Sequence, residues 1–178
     1  KRDVPVQTVA LGGYAGGLGA LIAAAKYGRW ALPLEILGAR LGVELLMQLT
    51  RSGKPLVVAM PSPQLRRLHR GLDHTAVLAA GVNRITGWPV QRGLWRSWVS
   101  TQVGSSRSRR EKGGRGFHAR SRFKKALLGR EVVLIDDVRT SGVSLEKASR
   151  LCHRLGAVQV SAGIVAAKRG EMTNEGGL

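Results

Sequence analysis

The chain has 178 residues, with 29 Lys plus Arg against 11 Asp plus Glu, a formal net charge of +18 at pH 7. That is the length of one domain with a real core, and a hydrophobic content of 43% excludes a disordered basic tail. The single cysteine, Cys152, excludes an intramolecular disulfide framework and a Cys-only zinc site in these residues, and an aromatic content of 4% argues against a base-stacking RNA-recognition domain.

Residues 1–13 read as an irregular lead-in. Over 14–27, Leu18, Leu21, Ile22 and Ala25 fall at i, i+3, i+4 and i+7, the spacing of one helical face, and Gly28 is a helix stop. The apolar run 18–25 is too short for a bilayer, which takes about 20 residues. No small-residue cleavage site follows it, so no membrane span or export signal is read and a cytoplasmic protein is expected. The chain begins at Lys1 rather than Met, and a preceding piece is expected. Pro33 suits a first helical turn, and Leu34, Leu37, Leu41, Leu45 and Leu49 predict a second helix, ended by Ser52-Gly53-Lys54-Pro55.

Leu56-Val57-Val58-Ala59-Met60 has the profile of a strand buried on both faces, with Pro61-Ser62-Pro63 as the loop after it. Val77, Leu78, Ala80, Val82 and Ile85 predict a helix within 71–87, starting near Asp73. Residues 91–130 carry twelve basic residues and one acid, Glu111, around a Gly/Ser-rich middle. They read as a basic loop with a short helix over 119–128. A second buried strand over 131–135 leads into Asp136-Asp137 and a loop. A helix follows through Leu145, Ala148, Leu151, Cys152 and Leu155, closed by Gly156, and then a strand over 158–167. Strand, helix, strand is a βαβ unit with parallel strands. The expected fold is α/β, a mostly parallel central sheet flanked by helices with a basic flexible loop. It forms a single domain: an N-terminal helical segment (1–53), an α/β core (54–170) and a tail (171–178).

Arginine dominates the positive charge, and its planar fork matches phosphate oxygens. The favoured partners are nucleic acid, phosphorylated metabolites or acidic membrane, although a compositional arginine bias gives the same sum. The segment that narrows this is 132–144. Two adjacent carboxylates end a buried strand, and small and hydroxyl residues then lead into a helix N-terminus. Loop N–H groups, the helix dipole and the hydroxyls of Thr140, Ser141 and Ser144 suit a phosphate, and Gly142 lets the backbone approach it. Asp136 and Asp137 beside the same pocket suit paired sugar hydroxyls, so a ribose 5-phosphate fits better than a bare phosphate. A turn in which Ser141 or Ser144 merely caps the helix would leave the carboxylates unexplained. No Gly-x-x-x-x-Gly-Lys-[Ser/Thr] occurs here, which excludes a nucleotide P-loop.

Other residues carry weaker signals. His69 and His74 have no third ligand at a zinc spacing and suit surface or capping roles. His118 reads as an anion contact or a solvated side chain, and Cys152 as a buried inert thiol. Arg66, Arg67 and Arg70 suit pyrophosphate, DNA phosphate or a solvated helix start. Trp88, Trp95 and Trp98 interleave with Arg92 and Arg96, as in a base-stacking surface, with core packing expected for at least one.

Val132-Val133-Leu134-Ile135-Asp136-Asp137-Val138-Arg139-Thr140-Ser141-Gly142-Val143-Ser144 resembles the phosphoribosyl pyrophosphate (PRPP) motif of type I phosphoribosyltransferases. The order of residues 14–26, 57–63, Arg70-Gly71, Gln102, 109–117 and Leu155-Gly156-Ala157 extends the resemblance to the ComF family of competence-related phosphoribosyltransferase-like proteins. The resemblance implies ribose contacts for Asp136 and Asp137 and 5-phosphate contacts for Arg139, Thr140, Ser141, Gly142, Val143 and Ser144. It implies pyrophosphate near Pro61, Ser62, Arg66 and Arg70, with Mg²⁺ held through ligand oxygens rather than by protein alone. Arg107, Arg109, Arg110, Lys112 and Arg115 would lie on the flexible loop that closes over the site or grips DNA.

The family's usual Thr-Thr-Gly-Ala-Thr reads Thr140-Ser141-Gly142-Val143-Ser144 here; the hydroxyls survive, and Val143 fits if its side chain faces the sheet. An Asn common near Gly113 and the Cys-rich zinc module common before this domain are not in the sequence. No catalytic residue or acceptor base is identified. The implied function is Mg²⁺-dependent phosphoribosyl transfer. Single-stranded DNA binding in DNA uptake and PRPP sensing without turnover stay open, as do a homo-oligomer and a competence-machinery partner.

Overall fold

A computed structural model describes residues 6–28, 30–49, 53–61, 72–96 and 117–168. Five strands form one sheet in the order β1 (Gln7–Gly13), β7 (Gln159–Ala167), β6 (Glu131–Arg139), β2 (Leu56–Ala59), β3 (Val90–Gln91), and every neighbouring pair is parallel. Parallel strands bury both faces, which is why β2 and the first half of β6 are unbroken apolar runs. Successive side chains then serve different cores. Val57, Val133 and Ile135 pack under α1 (Gly17–Gly28), α2 (Ala31–Gln48) and α3 (His74–Thr86), with Ile22, Leu41 and Leu78. Val58, Leu134 and Ala162 pack under α4 (Ser121–Leu127) and α5 (Val143–Arg154), with Phe123, Leu145 and Cys152.

The chain leaves β2 through α3 to reach β3 and leaves β6 through α5 to reach β7, on the opposite side. Right-handed crossovers running in opposite directions put their helices on opposite faces. The boundary between β6 and β2 is therefore the switch point of the sheet, where a crevice opens beyond the strand C-termini. A separate antiparallel ribbon, β4 (Leu94–Arg96) with β5 (Phe117–Ala119), pairs Trp95 with His118 and Arg96 with Phe117.

Three expectations change. Residues 7–13 are not irregular: β1 closes the sheet beside β7, Val9 opposite Gly163. β6 does not stop at Ile135 but runs on to Arg139, because β7 continues beside it, pairing Val138 with Ala166 and Arg139 with Ala167. The helix expected over 119–128 is Ser121–Leu127, because residues 117–119 are taken by the ribbon. Ser62, Arg66, Arg67, His69, Arg70, Trp98, Gln102, Arg107, Arg109, Arg110, Lys112, Arg115 and the tail lie outside the described residues.

The tightest helix contact joins α2 to α3. A Cβ on Gly81 would stand 2.5 Å from the Glu35 carbonyl oxygen and 2.9 Å from Gly38 Cα, so the two backbones touch through paired glycines. Gly81→Ala is expected to lower the urea-unfolding free energy by about 1–2 kcal/mol, since overpacking outweighs the alanine helix propensity. Gly17→Ala, where nothing lies within 4 Å, is the control that should not lose stability.

Candidate functional site

β2 ends at Ala59, opposite Ile135, and the Met60 N–H donates to the Ile135 carbonyl as the chain turns away. Residues 136–139 of β6 thus extend past β2 at the switch point, paired to β7 alone among the described strands. Strand alternation turns the two carboxylates to opposite faces. Asp137 faces α1, where Lys26 in the last turn pairs with it at 2.5 Å, both side chains largely buried. Asp136 accepts a 2.9 Å hydrogen bond from the Asp137 N–H and feels the charges of Lys26 and Arg96.

Burial first, and the Asp137 charge second, push the Asp136 carboxyl from 3.8 up to about 7, against the Asp137 N–H, Lys26 and Arg96. Asp136 is thus half protonated near neutrality.

Thr140 and Ser141 form an exposed turn, and Gly142 precedes α5 in the left-handed region at φ 68°. Glycine is required there twice over: its φ disfavours a side chain, and a Cβ would sit 3.0 Å from Nε of Arg139. The Arg139 guanidinium therefore lies against the turn, and its Nη1 reaches Thr8 Oγ1 at 3.4 Å. From the ribbon, Arg96 donates from Nη2 to Ser144 Oγ at 2.6 Å, with its guanidinium carbon 4.6 Å from the centre of the Phe117 ring. Two guanidinium groups thus flank one hydroxyl-bearing turn at the N-terminus of a helix, an arrangement suited to a phosphate.

Asp136, Asp137, Arg139, Thr140, Ser141, Gly142, Val143 and Ser144 are together at the strand ends, with half-buried Pro61 at the end of β2. Val143 is 45% exposed, so its side chain faces solvent, not the sheet. Trp88 is in the core, and Trp95 is 41% exposed and stacked on His118 with ring centroids 4.5 Å apart. Cys152 is buried, and desolvation pushes its thiol up to about 12, an inert group. His74 is buried at the start of α3 rather than on the surface. No described cluster of three or more His, Cys, Asp or Glu residues could hold a metal, and no described helix is long and apolar enough to cross a membrane.

Sequence reasoning missed Lys26, Arg96 and Thr8. Lys26 carried one signal, as the sole charge on the otherwise apolar helix α1. Thr8 carried none, and Arg96 stood out only as part of a base-stacking surface; contacts across distant segments bring both in.

No family model and no curated protein matches the sequence. Among solved structures the chain is similar to an allosteric regulatory enzyme of purine biosynthesis, at a TM-score of 0.51 and 22% identity over 74% of this chain and 25% of that one. It is also similar to glutamine phosphoribosylpyrophosphate amidotransferase from B. subtilis, at a TM-score of 0.50 and 23% identity over 74% and 25%. Hypoxanthine phosphoribosyltransferase from Trypanosoma cruzi aligns at a TM-score of 0.46 and 13% identity over 79% of this chain and 68% of that one. The chain spans about a quarter of the first two. The likeness is one of fold: an α/β, five-stranded parallel sheet flanked by helices, of the type I phosphoribosyltransferase kind.

Asp136 gives a pH signature. In the unfolded chain it ionises at its ordinary 3.8 and in the folded protein only near 7. Its contribution to stability is full below 3.8, is lost progressively up to about 7 and is constant above. The gain in Tm of Asp136→Asn over wild type should therefore grow from pH 4 to pH 7 and then level off. A gain that does not change with pH sinks this reading of Asp136.

Proposed function

We propose that this protein binds PRPP with Mg²⁺ and transfers or holds its phosphoribosyl group, with pyrophosphate as the leaving group, as a ComF-type phosphoribosyltransferase-like protein. The observation that carries the reading is the joint placement of Asp136-Asp137 and the Thr140–Gly142 turn at the β6/β2 switch point, beneath Arg139 and Arg96. In this reading the turn N–H groups, the Thr140, Ser141 and Ser144 hydroxyls and both guanidinium groups hold the 5-phosphate. Asp136 and Asp137 accept hydrogen bonds from the ribose hydroxyls, and Lys26 fixes Asp137.

The carboxylates of Asp136 and Asp137, beside the crevice at the strand ends, suit Mg²⁺ brought in on ligand oxygens. When bound, the ion supplies charge neutralisation for the pyrophosphate. The chain's own contribution is positioning of the ribose between a fixed phosphate and two acids, and guanidinium charge at the anion. The sequence order shared with the ComF family supports the finer placement. Arg66, Arg70 and the loop bearing Arg107, Arg109, Arg110, Lys112 and Arg115 belong to it as pyrophosphate and loop candidates.

Calorimetric titration with Mg²⁺-PRPP should show binding to wild type and none to the Asp136→Asn, Asp137→Asn double variant. Absence of heat with wild type overturns the reading. Binding without pyrophosphate release across a panel of nucleobases assigns a PRPP sensor rather than a transferase.

A second reading, single-stranded nucleic acid binding, is favoured by how charge divides across the sheet. Over the α4–α5 face stand exposed Arg120, Arg122, Lys124, Lys125, Lys147, Arg150 and Arg154, against the one described helical acid there, Glu146. The Trp95–His118 stack lies on the ribbon that packs on this same face. Arg122→Glu with Lys125→Glu should weaken oligonucleotide binding and flatten its dependence on log salt by about 1.4, at about 0.7 for each phosphate no longer neutralised. PRPP binding should be unchanged. A slope equal to that of wild type removes this face from the account.

A further inference from the structure

We propose that α2 is the two-fold interface of a homodimer, two copies packing antiparallel through the outer face of this helix. α2 is apolar on both sides. Leu34, Leu41 and Leu45 are fully buried against the sheet and α3, while on the opposite side Leu32, Ile36, Leu46 and Met47 are 66%, 56%, 49% and 76% exposed. Half-buried Ala39 and Val43 fill the gaps between them, so at 100° per residue the outer side chains form one stripe along the helix. A helix that is apolar all round belongs between two layers, and among the described elements α2 has only one.

The stripe fits a second copy of itself. About its midpoint, between residues 39 and 40, Leu32 is equidistant with Met47 and Ile36 with Val43. An antiparallel two-fold therefore sets large side chain against large side chain at each end and places the small Ala39 side chains together at the centre. A two-fold interface must be self-complementary in this sense.

Charge selects the same face. Residues 6–49 hold Lys26, Arg29 and Arg40 against Glu35 and Glu44, a net +1 on a chain of +18. Arg40 is already neutralised by Glu44 at 2.6 Å. Two strongly basic copies meet with least repulsion here. Taking about 200 Å² for a fully exposed large side chain, the four large stripe residues, Leu32, Ile36, Leu46 and Met47, offer on the order of 500 Å² per copy. That is less than the roughly 800 Å² per partner of a standard interface and is the size of a weak, reversible dimer.

Sedimentation equilibrium of the full chain tests the proposal. Wild type should dimerise, and more tightly as salt screens the repulsion between copies. Ile36→Glu buries an unpaired carboxylate in each copy and should weaken association by about tenfold or more, with the circular dichroism spectrum unchanged. Ala39→Cys should form an intermolecular disulfide under mild oxidation, while Lys125→Cys on the opposite face should not. A wild type that stays monomeric overturns the proposal and leaves the stripe to a different partner. A dimer that survives Ile36→Glu, or that Ala39→Cys does not cross-link, overturns it by placing the contact elsewhere.

Discussion

Residues 136–139 of β6 continue past the point where β2 leaves the sheet, and the chemistry of the site depends on that overhang. A strand paired on both sides has its polar backbone consumed and its side chains committed to two cores. The overhang keeps strand geometry, held by β7, and no other described strand pairs with it. Asp136 and Asp137 therefore stand at fixed positions beside the crevice at the strand ends. The same four residues deliver Arg139 to the turn that follows.

The sheet also divides the molecule electrically. Above one face, α1, α2 and α3 form a nearly neutral layer, with α2 and α3 in contact through Gly38 and Gly81. Above the other, α4 and α5 carry cations at most of their exposed positions. The site lies at the seam and draws on both layers, with Lys26 from the neutral one and Arg96 from the ribbon on the basic side. A charge of +18 thus becomes two surfaces with different physics. Among the described residues, one is strongly basic. The other is governed by apolar contact.

Most of the architecture was legible because parallel strands and packed helices write themselves as continuous apolar runs and 3.6-residue periods. β2, the first half of β6, β7 and the helices α1, α2, α3 and α5 are all readable in that way, and the turn at 140–142 is readable from its small and hydroxyl residues. β1 was not legible: an edge strand ending in Gly12-Gly13 buries only Val9 fully, too little for a periodic signal. The overhang of β6 was hidden for a related reason, since two acids and an arginine look like the end of a strand to any rule based on burial. The partners of the site were hidden because the cations Lys26 and Arg96 and the Thr8 hydroxyl approach only through tertiary contacts. Lys26 lies more than a hundred residues from the carboxylate that it neutralises.

Two adjacent carboxylates in a half-buried strand are a local inconsistency, and the surroundings show how far it is resolved. Asp137 has its counter-charge in Lys26. Asp136 does not receive full compensation: the Asp137 N–H and two more distant cations lower its affinity for a proton, yet burial and the neighbouring acid prevail. A fold selected for stability alone would replace Asp136 with an uncharged residue of similar size and relieve this conflict without disturbing the pairing of β6 with β7. Keeping the acid makes physical sense where a ligand supplies what the protein withholds, either donors to accept or a cation to balance. Near neutrality the carboxyl is about half protonated, so a donor or a cation placed beside it would favour its ionised form.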